Sequence, residues 1–287
     1  MTRSWGCVVL TQGRRPQLLA AGLAALLGQR HVDLDVVVVR NGGDPVELPD
    51  GVRAVVLPDN VGIPAGRNAG VPHVRGDLLL FLDDDAQPGS PDLLARCTAL
   101  FDADPSLGLL QPRVVDPDGR PAPRRWVPRL RVGDPARSSD ATAVWEGLVA
   151  VRRSAFEAAG GWAGELWFAH EGIDLAWGVW DAGYRVRYRG DLVALHEAND
   201  PGRHPELHRL SARNRVWIAR RRLPAPLVPA YPLVWLVLTL LRTRAVVDLG
   251  DVLRGTLAGL VRPPAVRRPM RWRTVWRMTR AGRPPVV

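Results

Sequence analysis

The 287-residue chain predicts an α/β fold, a mostly parallel sheet flanked by helices, followed by a helical, basic C-terminal extension. Three observations predict it. Over the first hundred residues unbroken apolar runs alternate with stretches of helical spacing, and such runs mark strands buried on both faces. Hydrophobic residues make up 46% and charged residues 24% of the chain, the balance of a folded soluble protein. In the last third the pattern shifts to arginine-rich helical stretches, and no acid follows Asp251.

The elements follow in order. WGCVVLT (5–11) is a short apolar strand, and PQLLAAGLAALLGQR (16–30) spaces leucine and alanine as a helix does, with Pro16 suited to its first turn. LDVVVVRNGG (34–43) and VRAVVLP (52–58) are further strands. A glycine-rich segment, NVGIPAGRNAG (60–70), leads as a helix or turn into the strand DLLLFL. A helix (91–105) and a strand (108–115) come next, and 116–139, rich in Pro, Arg, Gly and Asp, reads as a long loop of the kind that serves as a lid or stays disordered. A helix around HEGIDLAWGVWDAGY (170–184) and a strand ending at His196 close this part.

The net charge of +10 is carried entirely by arginine, since the chain contains no lysine. Every cationic contact is therefore a planar fork suited to phosphate. Cys7 and Cys97 form no CxxC pair and lie in apolar stretches, so buried free thiols in a reducing compartment are expected. The N-terminal apolar segment is too short for a signal peptide, which points to the cytoplasmic side.

The chemistry concentrates at LLLFLDDDAQP (78–88), where a buried strand ends in three carboxylates. Such repulsion calls for a positive partner or for solvent. In an extended chain residues two apart share a side, so Asp83 and Asp85 converge and Asp84 points away. Converging oxygens suit Mg2+ or Mn2+, held by one or two carboxylates together with substrate phosphates. A solvated acidic turn is the plain alternative. A phosphatase-type pair would follow the first strand and precede a hydroxyl residue, whereas Ala86 and Gln87 follow here. A prenyl-diphosphate motif would sit on a helix. Glycines around Arg67 and Asn68 would let backbone N–H groups approach a phosphate, with Arg67 offering two parallel bonds.

The order VVLTQGR (8–14), VVVVRNGG (36–43), NVGIPAGRNAG, LLFLDDDAQP, GGW (160–162) and HEGIDLAWGVWDAGY resembles the family-2 glycosyltransferases of the GT-A fold, over roughly residues 5 to 200. The resemblance implies a nucleotide-sugar-binding half at 1–112 and an acceptor-binding half at 113–200, and the arginine-rich last third reads as a helical, membrane-associating region at 201–287. It implies that Asp83 and Asp85 hold a divalent cation on the donor's diphosphate, with His196 as a further ligand. Thr11, Asn41, Arg67, Asn68 and Asp84 would line the nucleotide-sugar pocket, and Trp145, Glu146 and Gly147 the acceptor-side wall. Three departures stand out: Arg40 where an acid commonly precedes the asparagine, Gly172 where the EDxDL block carries a second acid, and Gly178 in place of an arginine.

Sugar transfer needs a stabilised diphosphate leaving group and a base for the acceptor hydroxyl. Glu171 and Asp174 share one face of a helix. With Gly172 lacking an acid, Glu171 is the expected base and Asp174 a sugar or acceptor contact. One displacement would invert the anomeric centre. The apolar stretch 227–241 is short for a span of about 20 residues and is flanked by Arg220, Arg221, Arg222, Arg242 and Arg244. Together with tail arginines, Trp272 and Trp276, it suggests an in-plane segment on an anionic inner membrane face, suited to a lipid-linked or envelope glycan acceptor. A catalytically inactive sugar-nucleotide binder and a basic nucleic-acid binder are the remaining alternatives, the latter without any accompanying nucleic-acid motif.

Overall fold

The computed structural model describes residues 4–198, 205–242 and 246–286. Arg244, one of the arginines flanking the apolar stretch, lies outside them. The elements, in chain order, are β1 (Ser4–Thr11), α1 (Pro16–Leu27), β2 (Asp33–Asn41), β3 (Arg53–Leu57), α2 (Ile63–Gly70), β4 (Leu78–Asp83), β5 (Ala86–Pro88), α3 (Leu93–Ala103) and β6 (Leu107–Val115). They continue with β7 (Ser139–Asp140), β8 (Leu148–Arg152), α4 (Arg153–Ala159), α5 (Glu171–Asp181), β9 (Arg185–His196), α6 (Leu207–Arg222), α7 (Ala230–Arg242), α8 (Val246–Val261) and α9 (Trp272–Arg280).

One sheet runs β3-β2-β1-β4-β8-β6-β9-β5, with β7 beside β9. The β3-β2-β1-β4 half is parallel throughout, as unbroken valine and leucine runs require. Beyond it the sheet is mixed: β8 is antiparallel to both β4 and β6, β9 is parallel to β6, and β5 is antiparallel to β9. Successive residues face opposite sides. Val8, Val37, Val39, Leu79 and Phe81 pack against the layer that contains α4, α5 and α6. Cys7, Val9, Val36, Val38, Leu78 and Leu80 pack against α1 and α3. Each fully buried Val, Leu or Phe contributes about 1.5–3 kcal/mol, so both faces are needed to hold the sheet. Cys7 and Cys97 are buried free thiols in the second layer, and burial raises both, Cys97 to about 12.

Two segments outside the sheet are pinned by side-chain amides, one to β6 and one to α6. The stretch between β6 and β7 is folded back on the molecule: Trp126 is fully buried, and its carbonyl accepts the Gln111 side-chain amide at 2.8 Å. The backbone before α5 is forced, with Trp167, Ala169 and His170 all at φ between 63° and 71°, a region costly for residues with a side chain. Asn214 of α6 holds it by donating to the carbonyls of Leu166, Phe168 and Ala169 at 3.0, 2.7 and 2.8 Å. α6 is thereby part of the core, burying Ile218 and Ala219 in the same cluster as α5. Among the described residues no helix is long and apolar enough to cross a membrane.

Candidate active site

Strand register brings the acidic triplet to its partners. Leu10 of β1 pairs with Asp83 of β4, so Thr11 stands next to the triplet. Ala86 of β5 pairs with His196 of β9, which sets His196 beside Asp85. The chain turns at Asp84 and Asp85 instead of staying extended. The alternation that would converge Asp83 and Asp85 therefore ends at Asp83, and each of the three carboxylates meets a cationic side chain, Arg15 being shared by Asp84 and Asp85.

Asp83 accepts from the Arg67 guanidinium at 2.7 Å. Asp84 accepts from Thr11 Oγ1 at 2.7 Å and pairs with Arg15 at 2.9 Å, yet burial pushes its carboxyl up to about 6. Asp85 meets Arg15 with its Oδ2 and His196 Nε2 with its Oδ1, the latter at 3.1 Å. Burial works to raise Asp85, but the hydrogen bond and charge of His196, with Arg15, hold it below the ordinary carboxylate range. His196 is correspondingly raised despite its own burial, and its Nδ1 lies 2.6 Å from the Glu197 carbonyl. The rings of Trp145 and Trp126 stand edge-on to it at 4.8 and 5.6 Å.

A cavity of about 420 Å³ opens beside this strand end. Arg67, Asp83, Trp145, Glu146, Gly147 and Glu171 line it. Arg67, 1% exposed, lies over the Trp162 ring and bridges Asp83 to Glu171 Oε1, the latter at 3.5 Å. Burial raises the Glu171 carboxyl against the pull of Arg67, and its Oε2 has no hydrogen-bond partner. Glu146 is anchored by the Gly172 N–H, which donates to its Oε1 at 2.7 Å. Burial and the neighbouring Glu171 push Glu146 up to about 8. His170, also on the wall, is pushed down to about 3 by burial and Arg215, and so stays neutral.

Other expected site residues serve the scaffold. Asn41 binds the loop ahead of α2, donating to Asn60 Oδ1 and the Gly62 carbonyl and accepting from the Val61 N–H. Asn68 exchanges two hydrogen bonds with the backbone of Trp162, at 2.8 and 3.1 Å. Asp174 lies away from the cavity, as a correction to its reading as a sugar or acceptor contact. It is fully buried, held by Arg222 at 2.8 and 2.7 Å and by Arg221 at 3.0 Å. Gly178 leaves room for the same Arg222, since a Cβ there would lie 2.9 Å from the guanidinium.

Two residues that sequence reasoning passed over are central, Arg15 and Trp126, and a third, Trp162, is legible only as the last residue of the GGW motif. Arg15 had a legible signal, a tandem arginine just past the first strand, whose carboxyl end must neighbour that of β4 in a parallel sheet. The donor chemistry of Asp85 and His196, a carboxylate oxygen and an imidazole nitrogen side by side, fits a divalent cation such as Mn2+. Asp83 is committed to Arg67, and among the described residues no cluster of three or more metal-ligating side chains occurs.

A parallel half-sheet continued by a mixed one, with acidic residues at the strand ends above a cavity, is the GT-A architecture of nucleotide-sugar transferases. The chain belongs to glycosyl transferase family 2, whose model matches residues 7–160. It is 30% identical over 232 residues to the pre-mycofactocin glycosyltransferase of Mycobacterium tuberculosis, covering 74% of this chain and 46% of the relative. The chain thus spans about half the length of that relative. Among solved structures it is similar to the Pyrobaculum calidifontis mannosyltransferase PcManGT in complex with GDP-Man and Mn2+, with TM-score 0.59 and 18% identity over 98% of this chain and 85% of that one. It is also similar to GalNAc-T7 with UDP, GalNAc and Mn2+, with TM-score 0.62 and 14% identity over 80% and 49% of the two chains.

Proposed function

We propose that the protein moves a sugar from a nucleotide-diphosphate donor to a hydroxyl acceptor, with a divalent cation, by a single inverting displacement. One observation carries the reading: Asp85 and His196 abut at the sheet's end while Asp83, Arg67, Glu171 and Glu146 line the cavity beside them. In this reading residues 1–112 bind the donor, 113–200 the acceptor, and 201–287 a membrane surface. The nucleotide lies over Thr11 and the glycine-rich turn, where Arg15 and Arg67 are the nearest cations to its phosphates. Mn2+ or Mg2+, held by Asp85 and His196, would supply Lewis-acid neutralisation of the leaving diphosphate. The chain's own part is to fix the donor, exclude water beneath Trp145 and take the acceptor's proton on a carboxylate at the cavity floor.

Arg124, Arg125, Arg215 and Arg283 on the cavity wall support an acceptor bearing phosphate or carboxylate, as a lipid-linked or envelope glycan does. Peripheral attachment to an anionic inner membrane face is supported by two exposed stripes. Leu233, Val237 and Leu241 lie along α7, and Leu253, Leu257, Leu260 and Val261 along α8.

Thermal stabilisation by UDP-GlcNAc, GDP-mannose and related donors, with and without Mn2+, tests the reading. A selective donor raises the melting temperature only when Mn2+ is present, and Asp85→Ala loses that gain. No stabilisation by any donor sinks the reading, and Mn2+-independent stabilisation removes the cation from it.

A further inference from the structure

We infer that Glu146, from the segment entering β8, is the carboxylate that takes the proton of the acceptor hydroxyl, in place of any acid on α5. The inference rests on the glycosyl-transfer reading and deepens it.

Three observations point there. The first is space. A Cβ built on Gly172 would lie 2.3 Å from the Val144 carbonyl oxygen and 2.5 Å from Glu146 Oε1. A side chain at 172 and the Glu146 carboxylate cannot share that volume, so the first turn of α5 gives up its own side chain to an acid arriving from another element. The second is anchoring. The Gly172 N–H, one of the donors left open at a helix start, holds Oε1 at 2.7 Å. That bond fixes the carboxylate's direction at the cavity wall, as a base must be fixed within hydrogen-bond reach of the proton it removes.

The third is charge. Glu171, the other carboxylate on the floor, shares Arg67 with Asp83, and a guanidinium beside a carboxylate lowers its appetite for a proton. Glu146 forms no ion pair among the described residues. The charged groups that reach it are Glu171, which favours its protonated form, and Arg67, which opposes it, while His170 on the same wall is neutral. Burial raises Glu171 as well, but its Oε1 is engaged by Arg67, whereas Glu146 has no paired cation to compete with the acceptor's proton.

The step balances without a further reagent. The acceptor O–H proton passes to Glu146, and the oxygen's electron pair forms the new bond to the anomeric carbon. The bond from that carbon to the diphosphate oxygen breaks, and its electron pair leaves with the nucleoside diphosphate. Arg67 keeps its charge throughout, and Glu171 takes no part in the transfer.

Glu146→Gln keeps the shape and the acceptor for the Gly172 N–H but loses the basic oxygen. The test uses the full chain with Mn2+ and the donor that stabilises the wild type, water serving as acceptor, and measures donor binding and release of free sugar across pH 5 to 9. Glu146→Gln is expected to bind donor within about twofold of wild type and to lose at least a hundredfold in turnover, along with the rise in rate toward alkaline pH. Glu171→Gln should keep that rise, and Glu146→Asp, its carboxylate drawn back by one methylene, should retain it at reduced rate. Wild-type turnover in Glu146→Gln, or loss of the pH limb in Glu171→Gln alone, would overturn the inference and leave glycosyl transfer standing. Failure of the wild type to bind or turn over any donor would remove both.

Discussion

Asp174 sits between two guanidinium groups, those of Arg221 and Arg222, with no solvent exposure. A buried ion group of this kind is held by the mutual attraction of its members, and deleting one leaves charges stranded in a poor dielectric, at a cost of about 3–5 kcal/mol. Asp174→Ala should therefore lower the free energy of unfolding by about that amount in a denaturant titration. The stable fraction should keep its donor affinity; an unchanged unfolding midpoint with a raised acceptor KM would return Asp174 to the site. The same residue shows where sequence reasoning reaches its limit. Helical spacing correctly sets Glu171 and Asp174 on one side of a helix, but which of the two opens on a cavity depends on what packs above them. Arg222, 48 positions further on, fills the space over Asp174. Asp83 and Asp85 carry a related lesson, because alternation holds only while the backbone stays extended, and here it turns after Asp83.

At the scale of elements, α2 has to lie flush on the sheet for Arg67 to reach Asp83 and Glu171 together. Its glycines allow the approach: a Cβ on Gly70 would lie 2.5 Å from Val8 Cγ1 and 2.8 Å from Val39 Cγ2, and one on Gly66 2.7 Å from Leu10 Cδ1. Overpacking a well-filled core costs about 1–3 kcal/mol per site. Gly70→Ala should fall in that range, read from unfolding midpoints, and by lifting α2 from β1 should weaken donor binding as well. A neutral effect on both would show that α2 has slack. These glycines are plain in the sequence as a phosphate-loop pattern, yet their observed neighbours are side chains of the sheet, since a short helix can carry an arginine inward only if its other face is nearly bare. α5 works similarly from the opposite side, where Asn214 on α6 holds the strained backbone that delivers Glu171 to the cavity floor.

Over the whole molecule, the distribution of charge and apolar surface sets the expected partner. α7 and α8 expose two leucine-rich stripes, with Leu241 77% and Leu257 62% exposed, and Trp272 and Trp276 on α9 are open to solvent. Arginine is the sole cation of this surface, so binding to anionic vesicles should weaken as salt rises. Pelleting with phosphatidylserine vesicles at low salt is expected for the intact protein. Leu253→Glu with Leu257→Glu should reduce it about tenfold or more while donor stabilisation persists, and equal recovery in the pellet would exclude these helices as the contact.

Periodicity and composition determined the parallel half of the sheet, its flanking helices and its acidic strand end, and the order of short motifs carried the resemblance to the family, because these depend on which residues lie next to one another along the chain. The tertiary structure alone decided the partners: Arg15 and His196 on Asp85, Arg67 between Asp83 and Glu171, Arg222 over Asp174, and Glu146 in the space left by Gly172. Electrostatic pairing and steric exclusion act over a few ångströms through space, and here they join residues many tens of positions apart, which no local pattern records.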